Sequence, residues 1–200
     1  IRGLSQRDIK YAQTFNFNIR LLGICSIKSD GRIEQRVHPC LISANSDIGR
    51  ISGVTGAIRL QTDALGSLFL SGAGAGQMPT ASAVLSDICD VAANRKVCAF
   101  GVNANNLKQG DFLTINEHEG EYYIRLTVKD VDGVLAAVSQ IFSRHSIGIE
   151  KIYQDTPEEG KADIVFITHD ENEKDIKEAV KEIAKQSFIV GKPVVIRSEV

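Results

Sequence analysis

The chain has 200 residues, 43% hydrophobic and 24% charged, with a formal net charge of −2. This is the composition of an ordinary globular protein with room for one medium domain or two small ones, and it lacks the basic excess that a nucleic-acid backbone demands. No apolar run approaches the ~18 residues of a membrane span, and no secretory signal is visible, so the chain is expected in the cytoplasm, with neither membrane nor nucleic acid as partner.

Charge is uneven. Residues 1–118 carry 12 Lys+Arg against 9 Asp+Glu, and residues 119–200 carry 11 against 16, a split that fits two units. Ser5-Gln-Arg-Asp8 resembles a capping box with Asp8 in the Glu/Gln place. Ile9, Ala12 and Phe15 then share a helical face, which predicts a helix over 5–16. Residues 18–28 and 33–42 read as strands around the turn Ser29-Asp-Gly-Arg32, a hairpin. A Gly/Ser-rich stretch leads to strands at 57–63 and 67–71, so this half is expected to form a mostly antiparallel sheet. Helical spacing of Ala81, Val84, Leu85, Ile88, Val91 and Ala92 predicts a helix over 79–95 with a strong apolar face and Pro79 in its first turn. Residues 97–120 lack a period and read as a linker.

From Glu121 the pattern is sharper. Tyr122, Ile124, Leu126 and Val128 alternate with Tyr123, Arg125, Thr127 and Lys129, a strand. A helix carries Val134, Val138, Ile141 and Phe142. Strands follow at 147–154 and 162–168, an amphipathic helix carries Ile176, Ala179, Val180 and Ile183, and residues 193–196 make the last strand. The order β-α-β-β-α-β is ferredoxin-like. The expected fold is therefore α+β: a mostly antiparallel sheet with helices over 1–96, a linker over 97–120, and a ferredoxin-like domain over 121–200. The charged helix from Glu171 to Lys185 is expected to show a solvated face, with an attractive pair Glu173–Lys177 and a repulsive one Lys177–Lys181.

Gly72-Ala-Gly-Ala-Gly76 sits between a strand and a helix. Small residues there let backbone approach a ligand, and a helix N-terminus favours anions. The spacing is G-x-G-x-G rather than the G-x-G-x-x-G of a dinucleotide fold, and no parallel strand follows. A cofactor contact and a tight turn in a packed core both fit the spacing, whereas a self-sufficient dinucleotide domain does not. The four cysteines, Cys25, Cys40, Cys89 and Cys98, form no C-x-x-C pair, so reduced and mostly buried thiols are expected. The histidines, His38, His118, His145 and His169, look scattered, with none at metal-ligand spacing from a cysteine. No catalytic nucleophile–base pair and no metal site is expected. Residue 1 is Ile and the only Met is Met78, from which an upstream segment is expected.

Several segments resemble a known family. Arg36-Val-His-Pro39, Gly53-Val-Thr-Gly-Ala-Ile58, the loop Gly72–Gly76, and Pro79-Thr-Ala-Ser-Ala-Val84 with Ser86-Asp87 are similar to the C-terminal part of homoserine dehydrogenase. Tyr123-Ile-Arg-Leu-Thr-Val-Lys-Asp130, Gly133-Val-Leu135 and Ala162-Asp-Ile-Val-Phe-Ile-Thr-His169 resemble the ACT domain appended to its bacterial form. The resemblance implies reduction of L-aspartate 4-semialdehyde to L-homoserine with NADPH or NADH, in a dimer or tetramer. It also implies that the catalytic lysine and the Rossmann domain precede Ile1, leaving this chain alone inactive. Gly76, with Gly74 and Ala75, is the implied cofactor contact. In the ACT part, Asp130, Asp132, Gly133, Val134, Leu135 and Ile147 are the implied effector contacts, with L-threonine as effector. Asp132 stands where the family motif has Pro, and its charge should weaken binding of a carboxylate. Two other readings compete: a non-catalytic amino-acid-binding regulator and a purely structural oligomerisation module.

Overall fold

The computed structural model describes residues 3–96, 98 and 100–199; Ile1, Val97 and Val200, which bound the expected domains, lie outside the described residues. Along the chain the elements are α1 (Gln6–Thr14), β1 (Phe17–Ile27), β2 (Ile33–Ser43), β3 (Thr55–Thr62), β4 (Gly66–Ala73), α2 (Gln77–Ala92), β5 (Glu119–Gly120), β6 (Tyr122–Lys129), α3 (Val134–Arg144), β7 (Ile149–Glu158), β8 (Lys161–Thr168), β9 (Glu171–Asn172), α4 (Glu173–Ile183) and β10 (Val194–Glu199). Two short 3₁₀ turns, Ala104–Asn106 and Ile115–Glu117, punctuate the stretch expected to be irregular.

Contacts divide the chain into two units. One comprises residues 1–44 and 111–200, the other residues 45–110. This cut differs from the expected bounds at 96 and 120, and the sheet explains why. In the first unit six strands run in the order β1-β2-β10-β6-β8-β7. The ferredoxin-like strands are its last four, and the N-terminal hairpin continues the same sheet. β2 joins by parallel pairing with β10, Cys40 opposite Arg197 and Ile42 opposite Glu199; every other neighbour is antiparallel. An exposed β10 edge would leave its N–H and C=O groups unpaired, and β2 covers it.

The strand β6 is buried on both faces. Tyr122, Ile124, Leu126 and Val128 pack with Val138, Ile141 and Phe142 of α3, Ile176 and Ile183 of α4, and Phe166 of β8, where Phe142 meets Phe166 edge to face at 5.1 Å. On the opposite face Tyr123, Val165 and Ile167 pack with Tyr11 and Ala12 of α1 and with Phe17, Leu41 and Ile196. Helix α1 forms where expected, but its buried face is Asp8, Tyr11 and Ala12, while Ile9 is 50% exposed. The helix is turned toward the partners of Asp8 rather than by its apolar spacing. It ends at Asn16, in the left-handed region (φ +62), a position Asn tolerates.

In the second unit β3 and β4 form a two-stranded hairpin that leads into α2. The described residues of 45–110 include no buried hydrophobic side chain. On α2, Val84, Leu85, Ile88 and Val91 are all exposed, as are Ile58 and Leu70 of the hairpin. An amphipathic helix gains most of its stability from burying that face, so the unit has the apolar surface for a core without a core of its own.

Candidate functional site

The glycine loop begins at the end of β4. Gly74 N donates to Val54 O at 2.7 Å, and a Cβ on Gly74 would stand 3.1 Å from the same oxygen. Gly74 is therefore a glycine because β3 approaches it, with no ligand required. Gly76 differs. Its φ of +124 is accessible to glycine and strained for any L side chain, and it is the N-cap of α2. Residues 71–76 are exposed. The loop thus brings Gly74, Ala75 and Gly76 together at a helix N-terminus that is open to an anionic group. Helix α2 starts at Gln77, two residues before the expected start, with Pro79 inside its first turn.

The second predicted site, at the start of α3, is divided by burial. Gly133 is left-handed (φ +84) and is itself the N-cap, with no side-chain cap. Asp132 therefore does not cap the helix, although its residue type suits that role. Asp130, Asp132, Gly133 and Leu135 are exposed, whereas Val134 and Ile147 belong to the α3–α4 core and can contribute only backbone to a ligand.

Three polar networks went unrecognised in the sequence. The first ties α1 to the sheet. Asp8 caps its own helix by accepting from Ser5 N at 2.8 Å and Ser5 Oγ at 2.7 Å, and it also accepts from Arg125 Nε at 2.6 Å, Arg125 Nη2 at 3.1 Å and Tyr123 OH at 3.0 Å. Burial pushes its carboxyl up, but these donors outweigh burial and hold it below the usual carboxylate range. Asp163 completes the network, accepting from Tyr11 OH at 3.0 Å, Arg7 Nη1 at 3.1 Å and Thr127 Oγ1 at 2.5 Å.

The second network takes Glu173 out of the solvated face of α4, which Lys174, Lys177, Glu178 and Lys181 still present. Glu173 is buried, accepting from Arg197 Nε at 2.8 Å, Arg197 Nη2 at 2.5 Å and Tyr122 OH at 2.8 Å. Its pair with Lys177 exists at 3.3 Å but is the outermost of these contacts. The third network gathers Glu34 with His118 Nδ1 at 2.6 Å, Lys28 Nζ at 2.7 Å and Arg36 Nη1 at 2.7 Å, while Arg36 Nη2 reaches Glu199 at 2.5 Å.

Two expectations about cysteine and histidine need correction. Cys25, Cys89 and Cys98 are exposed and only Cys40 is buried; all four are free thiols. Cys89 is exposed because it lies on α2, which buries nothing. Nor are the histidines all remote from sulfur. His38 Nδ1 lies 3.1 Å from Cys40 Sγ, and with Glu199 these side chains form the one group of three metal-type donors close together among the described residues. Alternate strand positions share a face, which is the signal that was available in His38-Pro-Cys40. Burial pushes the Cys40 thiol up to about 12, so it is a neutral, inert group.

The ferredoxin-like half places the chain among proteins that carry an ACT domain: residues 122–188 match the ACT domain model, and residues 1–89 match the homoserine dehydrogenase model. The homoserine dehydrogenases of Neisseria gonorrhoeae and Pseudomonas aeruginosa are each 34% identical to it across all of this chain, covering 47% and 48% of those relatives. A crystal structure of a homoserine dehydrogenase from Thiobacillus denitrificans superposes with a TM-score of 0.86 at 33% identity, over 100% of this chain and 46% of that one. The chain matches the C-terminal part of homoserine dehydrogenases together with an ACT domain. It spans about half the length of the curated relatives it matches. Among the described residues, no helix is long and apolar enough to cross a membrane.

Proposed function

We propose that residues 1–96 are the C-terminal portion of the catalytic and dimerisation region of an NAD(P)-dependent homoserine dehydrogenase, 97–120 a linker and 121–200 an ACT regulatory domain. In this reading the whole enzyme reduces L-aspartate 4-semialdehyde to L-homoserine, with the bound nicotinamide supplying the hydride. Gly74, Ala75 and Gly76 would hold the cofactor from one side. The observation that carries this is the exposed loop itself: Gly76 keeps a backbone conformation only glycine adopts freely, at the exposed head of a helix that has no side-chain cap. In this reading the 200 residues alone should show no turnover. The apolar face of α2, bare here, would pack on the parts of the enzyme beyond these residues.

The ACT portion would pair in an oligomer and sense L-threonine at the 130–135 loop, its carboxylate received by N–H groups at the start of α3 and opposed by the charge of Asp132. The test is homoserine-dependent reduction of NADP by the complete enzyme, with and without threonine. Activity inhibited by threonine supports both parts. Activity indifferent to threonine leaves the ACT domain a pairing module. A folded, cofactor-binding enzyme with no activity refutes the assignment.

A further inference from the structure

The core beneath α3 and α4 takes its strand side chains from β6 and β8, and none from the described residues of β10. Val195, which faces α4, stays 40% exposed, while its neighbour Ile196 is buried in the core on the other face. The space left between α4 and β10, inside the first unit, is a cleft of about 510 Å³, within the size range of small-ligand sites. Ile176 and Val180 of α4, with Pro193 and Val195, give it an apolar lining.

The charge around that lining is one-sided. Lys177, Lys181, Lys192 and Arg197 line the cleft against a single carboxylate, Glu173. Glu173 is already satisfied, by Arg197 at 2.8 and 2.5 Å, by Tyr122 OH at 2.8 Å and by Lys177 at 3.3 Å. Lys181 and Lys192 are exposed and have no ion-pair partner among the described residues. Lys177 and Lys181 stand one turn apart on α4, where like charges repel. An anion entering the cleft relieves that repulsion and meets no free carboxylate. A zwitterionic amino acid does not fit, because its ammonium group would face the excess cations with no unmatched acid to receive it. An inorganic anion would use the lysines and leave the apolar lining in water. The ligand that answers both features is an anion with an aliphatic tail.

We propose that this cleft binds a medium-chain aliphatic carboxylate, its tail against Val180, Pro193 and Val195 and its carboxylate held by Lys181 and Lys192. The cleft has no residue in common with the glycine loop or the 130–135 loop, so this binding is independent of the function proposed above. The full chain is titrated at neutral pH and fixed ionic strength with octanoate below its micelle concentration, reading the amide shifts of Val180, Lys181, Ala184, Lys192 and Val195 by NMR. Octanoate should saturate those shifts with a dissociation constant at or below about 5 mM. Hexanoate, with two fewer CH₂ groups in a half-open cleft, should bind roughly fivefold more weakly. Acetate, which lacks the tail, and octylammonium, which reverses the charge, should not saturate them. Lys181→Gln and Lys192→Gln should each weaken octanoate roughly threefold, and together roughly tenfold. Val195→Thr keeps the β-branched shape and should weaken it about threefold. No saturation by octanoate, shifts confined to the exposed face of α2, equal binding of acetate or octylammonium, equal affinity for hexanoate and octanoate, or unchanged affinity in the double lysine variant overturns the proposal.

Discussion

Removing the Asp8 carboxylate is the sharpest probe of how the N-terminal helix is joined to the ferredoxin-like sheet. Asp8 is fully buried and accepts five hydrogen bonds, three of them from Arg125 and Tyr123. Asp8→Ala leaves the Arg125 guanidinium, 8% exposed, with only Thr127 at 3.0 Å and the distant Asp163 carboxylate at 3.8 Å. Breaking a buried pair in this way costs about 3–5 kcal/mol, a range that includes the lost helix cap. For a unit of this size that is roughly 10–15 °C in melting temperature. Replacing both partners, Asp8→Ala with Arg125→Met, removes the orphaned charge and should recover most of the loss. The pH dependence has a definite sign. The folded carboxyl lies below its unfolded value, so the stabilisation is complete above the ordinary carboxylate range near pH ~4 and is lost as pH falls through the lower folded value. Asp8→Asn should therefore flatten the acid limb of the stability profile. Near-UV circular dichroism of the tyrosines reads the transition. A cost under about 1 kcal/mol for Asp8→Ala, or strict additivity in the double variant, would refute the reasoning.

Further outcomes follow from the same geometry. With a thiol reagent, Cys25, Cys89 and Cys98 should react in the native chain and Cys40 only after unfolding; four fast thiols would contradict its burial. In the complete enzyme Gly76→Val should raise the cofactor KM or abolish turnover, while Gly72→Ala, which meets nothing within 4 Å, should be silent; equal effects would count against a loop–cofactor contact. Gly133→Asp forces a side chain into φ +84 beside Asp132 and should abolish any heat of threonine binding in calorimetry. A chain cut to residues 111–200 loses β1, β2 and α1, so it should aggregate or melt far below the intact unit; a stable monomer would show that the β10 edge and the Tyr123 face need no cover.

The elements were legible because their periods are strong. β6, α3, β8 and α4 each carry apolar positions at the spacing of their own geometry, and each lies within a few residues of its expected place. Partnerships were not legible. Asp8 and Arg125 are far apart in the chain, and a hydrophobic pattern specifies which face is buried without naming what buries it. One hint was present: Arg125 interrupts the apolar run Tyr122-Tyr-Ile-Arg-Leu126, and a charge in a strand with apolar residues on both faces requires a buried counter-charge. Glu173 hid for a different reason. An acid in a first helical turn suits the helix dipole anyway, so nothing marked it as the partner of Arg197. The glycine loop shows the limit most plainly, because Gly74 and Gly76 are equivalent as letters yet one is fixed by a neighbouring carbonyl and the other by its own φ.

Family segments and spatial units divide the chain at different places, 89 and 122 against 44 and 110. The reason lies in what a β-α-β-β-α-β motif leaves bare. Its two helices cover one face of four strands, so the other face and both edges remain open. Here α1 and the hairpin close the second face with Tyr11, Phe17 and Leu41, and β2 closes the β10 edge. That narrows how two such modules can pair. The sheet keeps β7 as the free edge of the ferredoxin-like strands, and β7 is bulged between Ile149 and Lys151 and again between Asp155 and Glu158. Bulges and charges blunt an edge against further strands. Edge-to-edge pairing of the proposed ACT module is thus confined to the regular stretch 151–155, where Ile152 is the exposed apolar side chain. An assembly built there would rest on a few backbone bonds and little buried apolar area. The larger exposed apolar surface among the described residues is on α2 and the β3–β4 hairpin, so apolar area favours covering the second unit's face over pairing at the β7 edge.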